Sequence, residues 1–321
     1  MIFEKQILNI YRKNLFVRND NADGIFYFAP EDFPGLEAHP WSFKARGGHD
    51  LNGFFYHYPD PIPGRVLVFD HGMGNGHRAY MREIEQLAEA GFLVFSYDHT
   101  GCMASGGESC NGFAQSLSDL DACMEALKAE KAMEGYSFSV VGHSWGGFST
   151  MNITALHPEI SHVVAMSGFI SVEKIVEQTF SGILKPYRKA ILDLERKANE
   201  KYFAFNAVES LKGTDAKVLL IYSADDPVVK KVSHYDPLVL GLQGKENIRF
   251  HLEQGKAHNP SYTAEAVRYK DSFFADLQKL RRQGKKVSAE ERKSIMERYD
   301  WRRMTEQDDK VWDLIVSHLK A

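Results

Sequence analysis

Ser137-Phe138-Ser139-Val140-Val141-Gly142-His143-Ser144-Trp145-Gly146-Gly147-Phe148 is the stretch that decides the reading of this chain. Its first five residues read as a strand, and Val140–Val141 is apolar without alternation, as in strands covered on both sides. A helix-length stretch, Gly147–Leu156, follows. Between them, Gly142-His143-Ser144-Trp145-Gly146 sets a serine on a strained turn that lifts its hydroxyl above the sheet edge. Side chains two residues before and after that serine would collide, so both positions call for glycine. The following helix aims free N–H groups and its positive dipole end at the reacting oxygen. Chance alone places such a five-residue pattern in about one chain of this length in ten, so the strand–turn–helix setting carries the specificity.

Working outward, β-rich runs alternate with helical patterns. The expected strands are Trp41–Arg46, Gly53–Tyr58, Arg65–Asp70, Phe92–Tyr97, Ser137–Val141, His162–Met166, Val218–Tyr222 and Ile248–Leu252. Helical stretches include Arg78–Ala90 and Phe113–Lys131. This alternation predicts an α/β fold, a mostly parallel sheet with helices on both faces. The turn signal Gly47-Gly48-His49-Asp50 predicts that the sheet opens with an antiparallel hairpin.

The 321 residues hold 44% hydrophobic and 26% charged residues, an ordinary globular balance. A net charge of −4 gives no chain-wide electrostatic grip on nucleic acid, and no nucleic-acid partner is expected. Three cysteines (Cys102, Cys110, Cys123) fit a reducing compartment, and no 18-residue apolar run suggests a membrane span. A cytoplasmic location is expected. Near the N-terminus, Phe3, Ile7, Ile10, Tyr11 and Leu15 predict an amphipathic helix resting on the body of the protein.

A serine hydroxyl is a weak nucleophile until a base takes its proton, and that base needs an orienting acid. In this kind of sheet the chain order is Ser, then Asp or Glu, then His. Leu219–Tyr222 runs into Ser223-Ala224-Asp225-Asp226-Pro227, and Phe250–Leu252 runs on to Gly255-Lys256-Ala257-His258. Both segments place their groups at the C-terminal edge of the sheet, where open α/β folds build their sites. Asp225 and Asp226 are both candidates for the acid.

At this point the chain resembles the α/β-hydrolase family, in its monoacylglycerol-lipase, serine-aminopeptidase-like and small-ester-esterase branch. The resemblance spans roughly residues 40–260 and rests on five ordered segments: Asp70–Gly74, Asp98–Gly101 with Ser105 and Gly107, the Ser144 turn, Ser223–Val229 and Gly255–His258. It implies Ser144 as nucleophile and His258 as general base and acid. The family pattern Gly-x-x-Asp-x-x-Val, here Ser223 to Asp226 to Val229, implies Asp226 as the orienting acid, with Asp225 its rival. It also implies an oxyanion hole built from the backbone N–H groups of Met73 and Trp145. Two departures stand out. The family's Asp-x-Arg-Gly-x-Gly reads Asp98-His99-Thr100-Gly101-Cys102-Met103, without its arginine and one glycine, and Ser223 stands where glycine is common.

Bland alternatives apply elsewhere. His71 is expected to pack behind the oxyanion loop, since no His-Glu-x-x-His or Cys-x-x-Cys pattern accompanies it. The run Gly72-Met73-Gly74-Asn75-Gly76 lacks the Gly-Lys-Ser/Thr ending of a phosphate loop. No cofactor and no metal is expected. Residues 171–211, interrupted by Pro186, are expected to form a cap, and an apolar lining there favours apolar acyl groups. Residues 261–321 hold three helix candidates, with Ser288/Glu291 and Thr305/Asp308 spaced as capping boxes. Ten Lys/Arg between Lys279 and Arg303 suit a solvated helix face, or weak peripheral contact with anionic lipid.

The sequence therefore predicts one catalytic domain over 1–321, with an extension at 1–39, a cap at 171–211 and a helical region at 261–321. Its expected activity is cofactor-independent serine hydrolysis of a small-molecule carboxylic ester. Peptidase, amidase or thioesterase action and a non-catalytic binding role are the alternatives.

Overall fold

The computed structural model describes residues 3–20, 28–74, 76–282 and 288–321. Asn75, within the glycine run, and Lys285 and Lys286, within the basic run, lie outside the described residues.

All eight expected strands form, each within a few residues of its expected limits. They are β1 (Glu37–Lys44), β2 (Asp50–His57), β3 (Arg65–Asp70), β4 (Leu93–Tyr97), β5 (Ser137–His143), β6 (His162–Met166), β7 (Lys217–Ser223) and β8 (Ile248–Glu253). They make one sheet in the order β1-β2-β4-β3-β5-β6-β7-β8. β1 pairs with β2, and β2 with β4, antiparallel, while every later pairing is parallel. The opening hairpin is thus as expected, although β1 starts at Glu37, inside the segment read as an extension.

The helices are α1 (Glu4–Leu15), α2 (Met81–Glu89), α3 (Gln115–Ala129), α4 (Trp145–Asn152), α5 (Val172–Thr179), α6 (Arg188–Ala198), α7 (Glu200–Phe203), α8 (Ala207–Lys212), α9 (Tyr235–Gly241), α10 (Ala264–Arg282), α11 (Ala289–Met296), α12 (Trp301–Met304) and α13 (Asp309–Lys320). Alternate residues of the central strands point into two separate cores. Val68, Val140, Val163 and Leu220 pack with Leu120 and Met124 of α3 and Phe148 of α4. Leu67, Phe69, Val141, Val164 and Ile221 pack on the other face with Ile84 and Leu87 of α2. Two buried faces explain why these strands read as continuous apolar runs.

Ile315 and Leu319 of α13 belong to that second core, both fully buried. The last helix is therefore a layer of the sandwich and not a peripheral decoration. Ser288 and Glu291 do form a reciprocal capping box. The Thr305/Asp308 pair does not. The Thr305 hydroxyl donates back to the Trp301 carbonyl (2.8 Å) at the end of α12, and Asp308 alone caps α13 by accepting the Lys310 N–H (3.0 Å). Among the described residues four helices, α10 to α13, form where three were expected, the short α12 being the addition.

α1 forms as expected, but only part of its apolar set faces inward. Tyr11 is buried and Ile7 and Leu15 pack on the main core, whereas Phe3 and Ile10 face outward. Residues 171–211 form α5, a 3₁₀ stretch over Gly182–Tyr187 that holds Pro186, and then α6, α7 and the start of α8.

Candidate active site

β5 delivers Ser144 to the C-terminal edge of the sheet. Its backbone takes φ 58° and ψ −111°, a conformation that costs a non-glycine residue on the order of 1–3 kcal/mol. The turn is held from both sides. The Ser144 N–H donates to the Met166 carbonyl of β6 (2.9 Å), and the Ser144 carbonyl accepts from Phe148 N–H of α4 (3.0 Å). A Cβ on Gly142 would strike the Gly146 carbonyl and the Thr150 hydroxyl, and one on Gly146 would strike the Asp70 carbonyl. Both glycines are therefore demanded by crowding, as the sequence reading expected.

The Ser144 hydroxyl lies 2.9 Å from Nε2 of His258, and Nδ1 of His258 lies 2.8 Å from Oδ2 of Asp226. The second oxygen of Asp226 accepts the N–H groups of Val228 (2.8 Å) and Val229 (2.9 Å). These bonds give the Asp-x-x-Val spacing its physical meaning, because the buried Val229 anchors the turn that orients the carboxylate. Asp225 points elsewhere. It accepts Ser223 Oγ (2.7 Å), Gly255 N–H (2.9 Å) and Ala257 N–H (3.3 Å), and so ties β7 to the loop that carries His258. Burial would raise its pKa, but these donors outweigh that effect and hold it below the usual carboxylate range. Ser223, the departure from glycine, is used by this tie.

The far side of the histidine loop is anchored by the C-terminal helices. Lys256 Nζ pairs with Glu253 (3.0 Å) and with Asp308 (2.7 Å), the cap of α13. The Asp308 N–H donates to the Ser261 carbonyl (2.8 Å).

The loop after β3 meets Ser144 closely, since a Cβ on Gly72 would stand 3.4 Å from Cβ of Ser144. His71, fully buried, donates through Nδ1 to the Gly72 carbonyl (2.7 Å) and accepts the His99 N–H at Nε2 (3.1 Å). Burial and the neighbouring His99 push its pKa down to about 3, so it is neutral and its donor and acceptor roles are fixed. In a trans peptide the C=O and the following N–H point in opposite directions. By gripping the Gly72 carbonyl, His71 therefore sets the direction of the Met73 N–H. Trp145 is the first residue of α4, so its N–H has no acceptor within the helix.

Several contributors were not legible beforehand. His143, inside the serine turn, lies with Nε2 2.7 Å from the His258 carbonyl and Nδ1 2.9 Å from the Tyr80 hydroxyl. Burial, then the proximity of His258, lowers its pKa well below the usual value, which leaves it a neutral strut. The Tyr80 hydroxyl lies against Gly72, where an added Cβ would strike it, so His143 stands between the loop after β3 and the histidine loop. Beneath Trp145, His99 lies between Asp70 (3.0 Å) and Asp119 (3.2 Å). Burial alone would lower its pKa, but the two carboxylates raise it to about 10, making it a buried imidazolium.

Thr100 stands where the family pattern has arginine. Thr100 donates to Asp119 (2.8 Å), while Arg18, from the N-terminal segment, donates to the carbonyls of Met103 (2.6 Å), Ser105 (2.8 Å) and Gly107 (2.8 Å). Cys102 and Cys110, buried and free, lie with their sulfurs 3.6 Å apart in the same loop. Among the described residues no helix is long and apolar enough to cross a membrane.

This geometry can be set against known proteins. RutD of Klebsiella pneumoniae (strain 342), named as a proposed carbamate hydrolase, is 26% identical over 215 residues, covering 65% of this chain and 72% of its own. Among solved structures, the esterase Pf2001 of Pyrococcus furiosus superposes with a TM-score of 0.58 at 19% identity, covering 82% of this chain and 95% of its own. An acylaminoacyl peptidase of Pyrococcus horikoshii gives 0.51 at 18% identity, covering 70% of this chain and 38% of its own. At such identities the two structures speak to the fold, the same α/β-hydrolase sandwich. The family model described as serine aminopeptidase, S33, matches residues 61–241, more than half of the chain. This protein therefore belongs to the serine aminopeptidase S33 family of α/β hydrolases.

Proposed function

We propose that the protein is a serine hydrolase of carboxylic esters that works through Ser144, His258 and Asp226. The observation that carries this reading is the continuous hydrogen-bond chain from the serine hydroxyl to a carboxylate fixed by two backbone N–H groups. Family membership supports the hydrolytic class.

His258 Nε2 takes the Ser144 proton as Oγ attacks the ester carbonyl carbon, and Asp226 stabilises the imidazolium that results. The negative charge that develops on the carbonyl oxygen is held by the N–H groups of Met73 and Trp145. The tetrahedral species collapses, the alcohol leaves with the proton from His258, and Ser144 carries the acyl group. Water, deprotonated by His258, attacks the acyl carbonyl and releases the acid with Ser144 restored.

An apolar cavity of about 380 Å³ between α1 and the 171–211 segment supports an apolar acyl or alcohol group. Ile7, Tyr11, Phe113, Val176, Phe180 and Leu184 line it. One of its lining residues, Phe113, is tied to the serine turn, because its carbonyl accepts the Trp145 indole N–H (2.6 Å). RutD's name favours carbamates as a second reading.

A fluorophosphonate probe tests the class. Ser144 becomes labelled in the folded protein and Ser144→Ala does not, whereas no labelling of the folded parent supports a non-catalytic binding role. A panel of p-nitrophenyl esters of graded length, with a carbamate, a thioester and a peptide amide, ranks the substrates. Faster turnover of the carbamate or the amide than of every ester overturns the ester assignment.

A further inference from the structure

Two strands away from β3, on the opening hairpin, the register of β1 and β2 brings together three side chains that the linear sequence keeps apart. Glu37 stands directly opposite His57, and His39 lies two residues along β1 on the same face. The Glu37 carboxylate is 3.3 Å from His39 Nε2 and 3.9 Å from His57 Nε2. All three potential ligand atoms lie within 4.8 Å of one another, and the imidazole rings are nearly parallel at 5.3 Å between centroids.

The geometry points to a divalent zinc site formed by one carboxylate oxygen of Glu37 and the Nε2 atoms of His39 and His57. Ligand atoms around a tetrahedral zinc, with bonds of about 2.0–2.1 Å, sit about 3.3 Å apart. The Glu37–His39 distance already matches this spacing. The longer separations close by side-chain rotation, which the exposed positions of Glu37 and His39 allow. His57 carries a second mark of a ligand. Its Nδ1 lies 3.0 Å from the Tyr58 carbonyl and donates to it, which places the Nε2 lone pair toward Glu37 and His39. Two neutral imidazoles and one carboxylate make a borderline donor set that suits zinc over magnesium or calcium. Three protein ligands leave the fourth position to water.

The place of the site in the fold separates it from hydrolysis. β2 is antiparallel to β4, with Gly53 opposite Tyr97 and Tyr56 opposite Val94, so the His57 end of β2 lies at the N-terminal edge of β4. Ser144, Asp226 and His258 follow the C-terminal ends of parallel strands, the opposite edge of the sheet. A zinc ion here would staple the edge strand β1 to β2.

The test is a zinc titration of chelator-treated, full-length protein against a chromophoric competitor at about pH 7.5. One equivalent is expected to bind with a micromolar or tighter dissociation constant. Binding should weaken at least about tenfold in His39→Ala and in His57→Ala, and measurably in Glu37→Gln. Cobalt(II) in place of zinc should give the visible absorption of a four-coordinate ion, lost in the same variants. The circular dichroism of Glu37→Gln and His39→Ala should match the parent, since both residues are exposed. A parent that holds no zinc at about 100 µM overturns the proposal. So does a His39→Ala/His57→Ala double variant that binds zinc as tightly as the parent.

Discussion

Asparagine at position 226 separates charge from shape in the proposed triad. Oδ1 of Asp226 is committed to the N–H groups of Val228 (2.8 Å) and Val229 (2.9 Å), so an asparagine keeps its carbonyl oxygen there. Its amide nitrogen then faces Nδ1 of His258, at the position where Oδ2 now stands 2.8 Å away. Being a donor, that nitrogen forces Nδ1 to accept and moves the ring proton to Nε2, the atom that must receive the serine proton. Wrong tautomer and lost charge together should lower kcat by about 10³–10⁴, or about 4–5.5 kcal/mol of transition-state stabilisation. Asp225→Asn is the control. It retains an oxygen for Ser223 and Gly255 and loses charge assistance and the long Ala257 N–H bond (3.3 Å) in a largely exposed tie, so kcat should fall less than about tenfold. Steady-state hydrolysis of a p-nitrophenyl ester, normalised by fluorophosphonate titration of competent sites, measures both. If Asp226→Asn stays within tenfold of the parent, or Asp225→Asn is the more damaged, the acid has been assigned to the wrong residue.

Three further outcomes are expected. Arg18→Ala removes three carbonyl partners of a guanidinium that is 32% exposed, so the loop over residues 101–107 should lose about 2–3 kcal/mol of local stability. Amide exchange there should accelerate on the order of 30–150-fold, and unchanged exchange would count against the clamp. Burial raises the Glu195 pKa from 4.5 to about 7, against the Tyr11 hydroxyl and Phe113 N–H that bond its carboxylate, so the folded state holds a proton that the unfolded chain releases. Stability of the parent relative to Glu195→Gln should therefore fall by about 3 kcal/mol as pH rises from 4.5 to 7, and parallel urea midpoints across that range would refute the buried-acid account. Leu184→Trp should crowd the apolar cavity and lower kcat/KM for long-chain esters by about fourfold per excluded methylene, with acetate unaffected. An unchanged chain-length profile would place the acyl group elsewhere.

The sheet was legible because local pattern and burial agree. Val140–Val141 and Val66–Phe69 are apolar on both faces, and both faces are covered. Ser144, Asp226 and His258, which the structure brings within hydrogen-bond distance, could be picked out because each follows a strand and is tied to a short local motif. What the sequence hides is everything that depends on register or on distant docking. Glu37, His39 and His57 match no ligand spacing along the chain and meet only through β1–β2 pairing. Tyr80 and His143 become partners only when the loop after β3 folds over β5. The Thr305/Asp308 spacing misled because a box needs both residues at one helix start, and here one ends a helix while the other begins the next.

The loop that carries His99 is closed by a residue about 85 positions upstream. In terms of contact order, this replaces a local closure, available as soon as the loop forms, with one that waits for a distant segment to find its place. The parallel sheet can then be complete while the floor beneath Trp145 is still open. Recovery of fluorophosphonate reactivity should trail recovery of secondary structure after dilution from denaturant. An arginine supplied within the loop itself would bring the two events together.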